Sequence, residues 1–277
     1  ATTCGATVTT PTGGGGGMTP VLLVAHGAAY PAAAATIRAL ARGVAAARPG
    51  IDVRVAFLDH AGPRPAEVLA AFDRYGHRSA VMVPLLLTSA YHDRVDLPAV
   101  LASARRAGLR LEVATAAVLG PGVGGVPAAL LDGLTRRLAE TGVGYDAVLL
   151  AAAGTRDAMA RSTVAEAAVA LGAALGVSCI PGYASAAEPT GAEAVAALRA
   201  AGARRVAVAA YFLACGRLYD TVIGSALTAG AVAAATPLGA CRELVRLVLQ
   251  RVAVVDPGGH LDATGPEPIS IIQGLAA

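Results

Sequence analysis

The sequence predicts an α/β protein made of two similar halves, each a doubly wound parallel sheet, that face each other across a cleft. Short apolar runs bounded by turn-forming residues alternate with longer, Ala-rich segments of helical length. The order of these segments repeats from about residue 148 onward. The chain has 277 residues, 55% of them hydrophobic, which is enough for two packed halves.

In the first half, four short apolar runs predict four buried strands. These runs are residues 21–25, 53–58, 80–87 and 111–116. Four segments with helical patterns follow them, at about residues 33–48, 65–75, 96–107 and 126–141. Pro65 stands at a helix start, and Asp96 is a plausible N-cap with Pro98 in the first turn behind it.

The second half repeats this pattern. Residues 148–154 (VLLAAAG) align with 21–27 (VLLVAHG), and residues 183–189 align with 57–63 without a gap. Residues 202–213 resemble 76–87, and residues 236–252 resemble 118–134. Between the first two matches we expect a helix at about 157–175 and a strand at 177–183. The repeat predicts two tandem β/α units.

The limits of these units follow from composition. Residues 1–17 are rich in Thr and end in five glycines, so we predict a disordered tail. The first half is predicted at 18–142 and the second, degenerate half at 143–254. Residues 255–277 lack periodicity and are predicted to form a C-terminal tail.

Charge and cysteine content narrow the function classes. All 22 basic residues are Arg, the net charge is +3, and no basic run exceeds two residues. This argues against nucleic acid and favours an acidic small molecule, because Arg forms forked pairs with carboxylates. Pro, Gly or a charged residue interrupts each apolar run before it is long enough to span a membrane. We also see no secretory signal. We expect a cytoplasmic protein in which Cys179, Cys215 and Cys241 are buried or half-buried thiols.

Polar side chains follow the strands of the first half and are missing at the aligned positions of the second. The aligned pairs are His26 with Ala153, Asp59 with Ser185, His60 with Ala186, and His92 with Leu218 or Tyr219. Ligands of open α/β sheets bind outside the carboxyl ends of the strands. We therefore expect one site, built on the first half and walled by the second.

Two chemistries suit two histidines and a carboxylate at such strand ends. These three side chains could hold a divalent metal loosely, with some of its coordination positions left open, or they could relay protons. We interpret His60 as a capping or surface residue, and set aside His77 and His260, which lie before the third strand and in the tail. The Gly-rich run 119–125 lacks the context of a dinucleotide site. The chain has neither a Walker A lysine nor a G-x-S-x-G elbow.

Four motifs of the first half resemble the sirohydrochlorin chelatases, which are ATP-independent class II chelatases. They are HGAAYP (26–31), FLDHAGPRP (57–65), VPLLLTSAYHDRVDLP (83–98) and LGPG (119–122). YASAAEPT (183–190) and AALRAAGARRVAVAAYFLACG (196–216) are similar to the degenerate C-terminal half of long, fused members. The resemblance covers about residues 19–252.

The resemblance implies a lyase of the metal chelatase type. It would insert Co²⁺ or Fe²⁺ into sirohydrochlorin, an acidic tetrapyrrole, on the way to cobalamin or sirohaem. It implies that His26 and His92 are the catalytic, metal-handling pair, with Asp59 where the family usually has Glu. It also implies that the metal is a substrate and that no cofactor is permanently bound. Cys241 departs from a His that is common in the C-terminal half.

The carboxylates of such a substrate need donors, which Arg side chains and helix N-termini provide. The residues predicted to bind it in the first half are Arg64, Ser89, Tyr91 and Arg94. In the second half the candidates are Arg156 and Arg217. We expect neither nucleic acid nor a membrane as a partner, and a monomer or homodimer.

Three alternatives stay open from the sequence. The chain could bind or carry a metal or tetrapyrrole without turnover. It could be a chelatase that has changed its substrate, towards another tetrapyrrole or Ni²⁺. It could also be a metal-assisted hydrolase, which would require three strong protein ligands.

Overall fold

A computed structural model describes residues 19–27, 29–88 and 96–255, which form two four-stranded parallel sheets flanked by helices. The predicted fold class is therefore confirmed: an α/β chain with two similar halves. The predicted tails, apart from residue 255, lie outside the described residues, as does the segment 89–95. The limits proposed for the two halves, 18–142 and 143–254, remain predictions.

The first half alternates strands and helices along the chain. Its strands are β1 (Val21–Ala25), β2 (Val53–Phe57), β3 (Ser79–Pro84) and β4 (Glu112–Thr115). Its helices are α1 (Pro31–Ala47), α2 (Pro65–Arg74), α3 (Leu97–Arg106) and α4 (Ala128–Ala139). The sheet order is β2-β1-β3-β4, and every pair is parallel. Chain order reverses across β1, which opens a crevice at the carboxyl ends of β1 and β3.

The second half has the same order and direction of elements. Its strands are β5 (Ala147–Ala152), β6 (Ser178–Tyr183), β7 (Val206–Ala210) and β8 (Ala233–Ala234). Its helices are α5 (Ala158–Leu175), α6 (Gly191–Ala200), α7 (Arg217–Thr228) and α8 (Arg242–Val255). The sheet order β6-β5-β7-β8 is that of the first half, element for element. Asp157 caps α5 by accepting from the amides of Met159 and Ala160.

Three local expectations differ from the structure. Strand β3 ends at Pro84 rather than at residue 87. Its pairing with β1 finishes with the hydrogen bond from the Leu85 amide to the Val24 carbonyl. Asp96 precedes α3 with helical φ and ψ of −72° and −43° and makes no side-chain capping bond, so it is not an N-cap of the usual kind. Residues 118–134 and 236–252 each give a loop followed by a helix, as predicted, but equivalent hydrogen bonds pair Leu119 with Leu238, so the two ranges are offset by one residue.

The main hydrophobic core is shared by the two halves. It joins one face of each sheet with helices α1 and α4 of the first half and α5 and α8 of the second. Helix α4 packs against α8, α1 packs against α8, and α5 packs against α4. These contacts interchange when the halves are interchanged, as in an approximate two-fold dimer. Each sheet also has one smaller core of its own on its outer face.

A buried carboxylate crosses this shared interface. Glu243 at the start of α8 is only 4% exposed, and its oxygens accept from Arg136 of α4 at 3.0 Å and from Arg242 at 2.8 Å. Burial alone would raise the pKa of Glu243, but the hydrogen bonds from Arg242, from the backbone and from Arg136 lower it to about 2. The ionised carboxylate therefore links the two halves.

Helix α5 is long and apolar enough, by length and composition alone, to cross a membrane. It carries Arg161 and Glu166, and its inner face is buried in the shared core. Helices with one face on a sheet have this composition in α/β layers.

Candidate functional site

A cavity of about 790 Å³ lies between the two halves, at the carboxyl ends of both sheets. The first half contributes the ends of β1 and β3, with residues 25–27 and 85–88, and the start of α1. The second half contributes the ends of β5 and β7, with residues 152–155 and 211–219. The sequence placed the cleft here, and the structure confirms it.

His26 ends β1 and lines this cavity with an exposed side chain. Its carbonyl accepts from the Asp59 amide at 2.8 Å, which continues the pairing of β1 with β2 past the strand end. Gly27 follows with φ of 96°, and a Cβ at this position would overlap the Asp59 carbonyl oxygen. The backbone that presents His26 is therefore held by a close contact that only glycine permits.

The second half builds the same turn at the end of β5. The Ser185 amide bonds to the Ala153 carbonyl at 3.2 Å, and Gly154 has φ of 87°. A Cβ on Gly154 would overlap the Ser185 carbonyl oxygen, as at the first turn. Ala153 also lines the cavity. The turn thus forms without a histidine, and His26 is not needed for the fold.

Asp59 lies beside the cavity and is not among its lining residues. Its carboxylate accepts from the His60 amide at 2.8 Å and lies 3.5 Å from Nε2 of the same residue. The backbone hydrogen bond from His60 lowers the pKa of Asp59, with smaller contributions from the His60 ring, Arg64 and His26. Asp59 is therefore an ionised neighbour of the site, whereas its role as a metal ligand remains a prediction.

His60 does line the cavity, although the sequence favoured a capping or surface position. Its φ of 59° lies in the left-handed region, and Ala186 at the aligned position has the same value. The backbone of this turn is thus common to both halves, and only the first half places an imidazole on it. The half-exposed ring joins the Asp59 carboxylate to the cavity wall.

The arginines predicted to bind carboxylates have different positions. Arg64 is exposed outside the cavity lining, and its guanidinium donates to the carbonyls of Leu58 and Phe57 at the end of β2. Arg156 is also outside the lining. Arg217, the first residue of α7, is exposed and lines the cavity. Of these three, Arg217 has the position that the substrate hypothesis needs.

Four predicted site residues lie outside the described residues: Ser89, Tyr91, His92 and Arg94. Their roles in catalysis, metal handling and substrate binding remain predictions. Within the described residues, no three His, Cys, Asp or Glu side chains form a group that could hold a metal. The hydrolase alternative, which needs three strong ligands, gains no support from that part of the chain.

The aromatic wall of the cavity was not anticipated from the sequence. The chain has seven Tyr and three Phe, and six of the nine that lie in the described residues line the cavity. They are Tyr30, Phe57, Tyr183, Tyr211, Phe212 and Tyr219. Three of them stand at or just after strand ends, which is the signal that could have identified them in a chain with 4% aromatics. A flat, largely apolar ligand fits such a wall.

The cysteines differ in burial. Cys241 is buried and Cys179 is partly buried, as predicted, and burial raises the pKa of the Cys179 thiol to about 12. Cys215 is exposed at the cavity, so the prediction of a buried or half-buried thiol is wrong there. It lies on the loop between β7 and α7, which lines the cavity.

The sequence model of the CbiX family matches residues 20–137 and again residues 147–255. Comparison with curated proteins finds no match.

Solved structures share the architecture. SirB from Bacillus subtilis with Fe³⁺ aligns with a TM-score of 0.73 at 21% identity, over 84% of this chain and 94% of its own. SirB from Bacillus subtilis subspecies spizizenii, in complex with cobalt, aligns with a TM-score of 0.72 at 20% identity, over 87% of this chain and 97% of its own. CbiX, the terminal enzyme for siroheme biosynthesis in denitrifying bacteria, aligns with a TM-score of 0.61 at 21% identity, over 85% of this chain and 98% of its own. At these identities the likeness concerns the fold.

Proposed function

Because the chain belongs to the CbiX family in both of its halves, we propose that it inserts a divalent metal into sirohydrochlorin without ATP. In this proposal it is a lyase of the metal chelatase type, and Co²⁺ or Fe²⁺ is the metal substrate. The similar structures named above contain iron in one case and cobalt in another, and the third belongs to siroheme biosynthesis. The iron and cobalt of these neighbours support both metals for this chain, and the third neighbour supports the sirohaem pathway. We propose the cobalamin pathway as the alternative.

The observation that carries the proposal is the pair His26 and Ala153. Both residues occupy the same turn and both line the cavity, yet only one carries a group that can bind a metal or accept a proton. A histidine retained for the fold would be expected at both turns. The difference supports a chemical role for His26.

The residues around the cavity suit the steps of metal insertion. The macrocycle must lose two pyrrole protons and receive a cation along the normal of its ring. A neutral imidazole can accept a proton or bind the cation, and His26 lies at the wall where the ring face would be. Incomplete coordination by the protein helps, because the metal must be released into the macrocycle.

The surroundings of His26 suit the rest of the substrate. The aromatic and aliphatic lining matches the apolar ring of the substrate. Arg217 and the N-terminus of α7, which also line the cavity, would donate hydrogen bonds to the carboxylates of its acidic arms. We also propose that no cofactor is permanently bound and that the protein works in the cytoplasm.

The test is an anaerobic assay of the purified protein with sirohydrochlorin and Co²⁺, Fe²⁺ or Ni²⁺, in which the macrocycle absorbance is followed. We expect acceleration over the spontaneous rate with Co²⁺ or Fe²⁺, and its loss in His26→Ala and His92→Ala. His77→Ala is the control, since His77 precedes β3 at the opposite end of the sheet.

Each contrary result has a distinct meaning. No acceleration with any metal would overturn the chelatase proposal. If the protein then still bound sirohydrochlorin, it would be a binding or carrier protein. A preference for Ni²⁺ would keep the chemistry and change the metal. Equal rates for the wild type and both site variants would remove the proposed site.

A further inference from the structure

The end of β3 is held in place by a side chain from the other half of the molecule. Tyr211, at the end of β7, donates its phenolic hydroxyl to the Leu87 carbonyl at 2.8 Å. Tyr211 is 3% exposed, and burial raises the pKa of its phenol, so it stays a neutral donor. This hydrogen bond connects two walls of the cavity.

Gly120 also lies against this carbonyl. A Cβ on Gly120 would overlap the Leu87 carbonyl oxygen and would lie 3.2 Å from the Tyr211 hydroxyl. Arg251 of α8, again from the second half, donates to the Gly120 carbonyl at 3.2 Å. The Leu87 carbonyl thus lies against both the Tyr211 phenol and Gly120, and the Gly120 backbone is itself hydrogen-bonded to the second half.

The equivalent position in the second half is built differently. The amides of Leu85 and Tyr211 bond to the Val24 and Ala151 carbonyls, each at 2.8 Å, which makes Leu85 the counterpart of Tyr211. Leu213 is then the counterpart of Leu87. Its carbonyl accepts from the Gly239 amide at 3.0 Å, within its own half. Among the described residues, a side-chain hydrogen bond across the cavity reaches Leu87, whereas the bond that the Leu213 carbonyl accepts from Gly239 stays within its own half.

We propose that Tyr211 is a positioning residue for the reaction, acting through the Leu87 peptide. This inference depends on the proposed chelatase function. Residues 85–88 line the cavity beside the end of β1, where His26 lies. Proton removal and metal delivery tolerate less displacement than the binding of a large ring in a broad cavity. Losing the hydroxyl should therefore lower kcat and leave KM nearly unchanged.

The test compares Tyr211→Phe with the wild type in the chelatase assay. We expect kcat to fall about fivefold to tenfold with KM within twofold. Tyr145→Phe is the matched control, because Tyr145 is a partly buried tyrosine just before β5, at the far end of that sheet. Gly120→Ala forces a methyl group onto the same carbonyl and should give the same pattern in its folded fraction.

Hydrogen exchange gives a readout that does not need activity. Peptides that include residues 85–88 should exchange about tenfold faster in Tyr211→Phe and at the wild-type rate in Tyr145→Phe. Unchanged exchange would overturn the positioning role even if the wild type were inactive. An active wild type with an unchanged kcat in Tyr211→Phe would overturn it and leave the proposed function intact. A rise in KM alone would mean that Tyr211 contacts the substrate instead.

Discussion

The ends of β1 and β5 show what the two halves share and where they differ. Both turn through a glycine with φ near 90°, at which an added Cβ would overlap a carbonyl oxygen after the neighbouring strand. In both, a backbone N–H donates a hydrogen bond to the carbonyl of the residue before that glycine. Yet that residue is His26 in one half and Ala153 in the other. The backbone of a strand-end turn is thus preserved when its side-chain chemistry is lost.

This comparison separates structural from chemical residues without an alignment of relatives. Where both halves carry the same residue in the same geometry, as at Gly27 and Gly154, the fold explains it. Where the geometry is the same and the residue differs, as at His60 and Ala186, the fold leaves the choice open. The polar residues present only in the first half are therefore the ones to test for function.

The largest effect is expected from exchanging the histidine between the halves. His26→Ala should lower chelatase activity by about 10²–10⁴-fold, the usual contribution of a proton-transfer group. Adding Ala153→His should not restore it, because the second half lacks the predicted partners of His26. The measurement is the initial rate of metal insertion. Recovery of even a tenth of the wild-type rate would show that the two turns are chemically equivalent.

The next effect concerns the glycines of the two turns. Gly27→Ala and Gly154→Ala should each lower the free energy of unfolding by about 3 kcal/mol, since both force a methyl group onto a carbonyl oxygen at positive φ. Urea denaturation measures both. Gly76→Ala has a similar φ of 84° with no atom within 4 Å of its Cβ, so it should cost only about 1 kcal/mol. A large difference between the first two variants would contradict the structural likeness of the turns.

A smaller effect is expected where the halves meet. Glu243→Gln should lower the free energy of unfolding by about 2 kcal/mol at neutral pH, because two charge-assisted hydrogen bonds are weakened. The pKa of Glu243 is about 2 in the folded chain and near 4.5 when unfolded. Its contribution is therefore complete above about pH 4.5 and is lost as the pH falls toward 2.

Denaturant unfolding of both proteins between pH 2 and pH 7 checks this. The stability advantage of the wild type over Glu243→Gln should shrink steadily below about pH 4.5. Glu112→Gln, on the exposed part of β4, serves as the control. A constant difference between wild type and Glu243→Gln across this range would exclude the ion pair as its origin.

The smallest effect is expected at Asp59. Asp59→Asn should lower kcat/KM by less than tenfold, because its carboxylate contacts His60 and is not among the residues that line the cavity. Ser185→Ala, at the aligned position of the second half, should leave kcat/KM unchanged. A loss as large as that of His26→Ala would instead support the predicted role of Asp59 as a metal ligand.

Hydrophobic patterning predicted most of the fold, because strands buried on both faces read as continuous apolar runs. β1 was predicted with its observed limits, and the family match confirms the likeness to the long, two-half chelatases. The end of β3 was missed because residues 85–87 remain apolar after they leave the sheet. They line the cavity instead, and composition does not distinguish the two kinds of burial.

The site was harder to predict than the fold. His26 was found because it interrupts an apolar strand end. His60 was interpreted as a capping or surface residue because nothing local reveals that the left-handed turn that carries it lies at the cavity. Arg64 was chosen by charge alone, whereas its guanidinium is bonded to backbone carbonyls. The contact between Tyr211 and Leu87 spans 124 residues, and no local sequence pattern encodes it.

That contact has a consequence for how the molecule could diverge. In a two-fold dimer of identical subunits, every substitution occurs at both related places. A tyrosine gained opposite one site would also appear beside the other. Covalent fusion removes this constraint, so that Leu85 and Tyr211 can differ although their backbones correspond. A single chain thus allows the second half to support the first without repeating its polar residues.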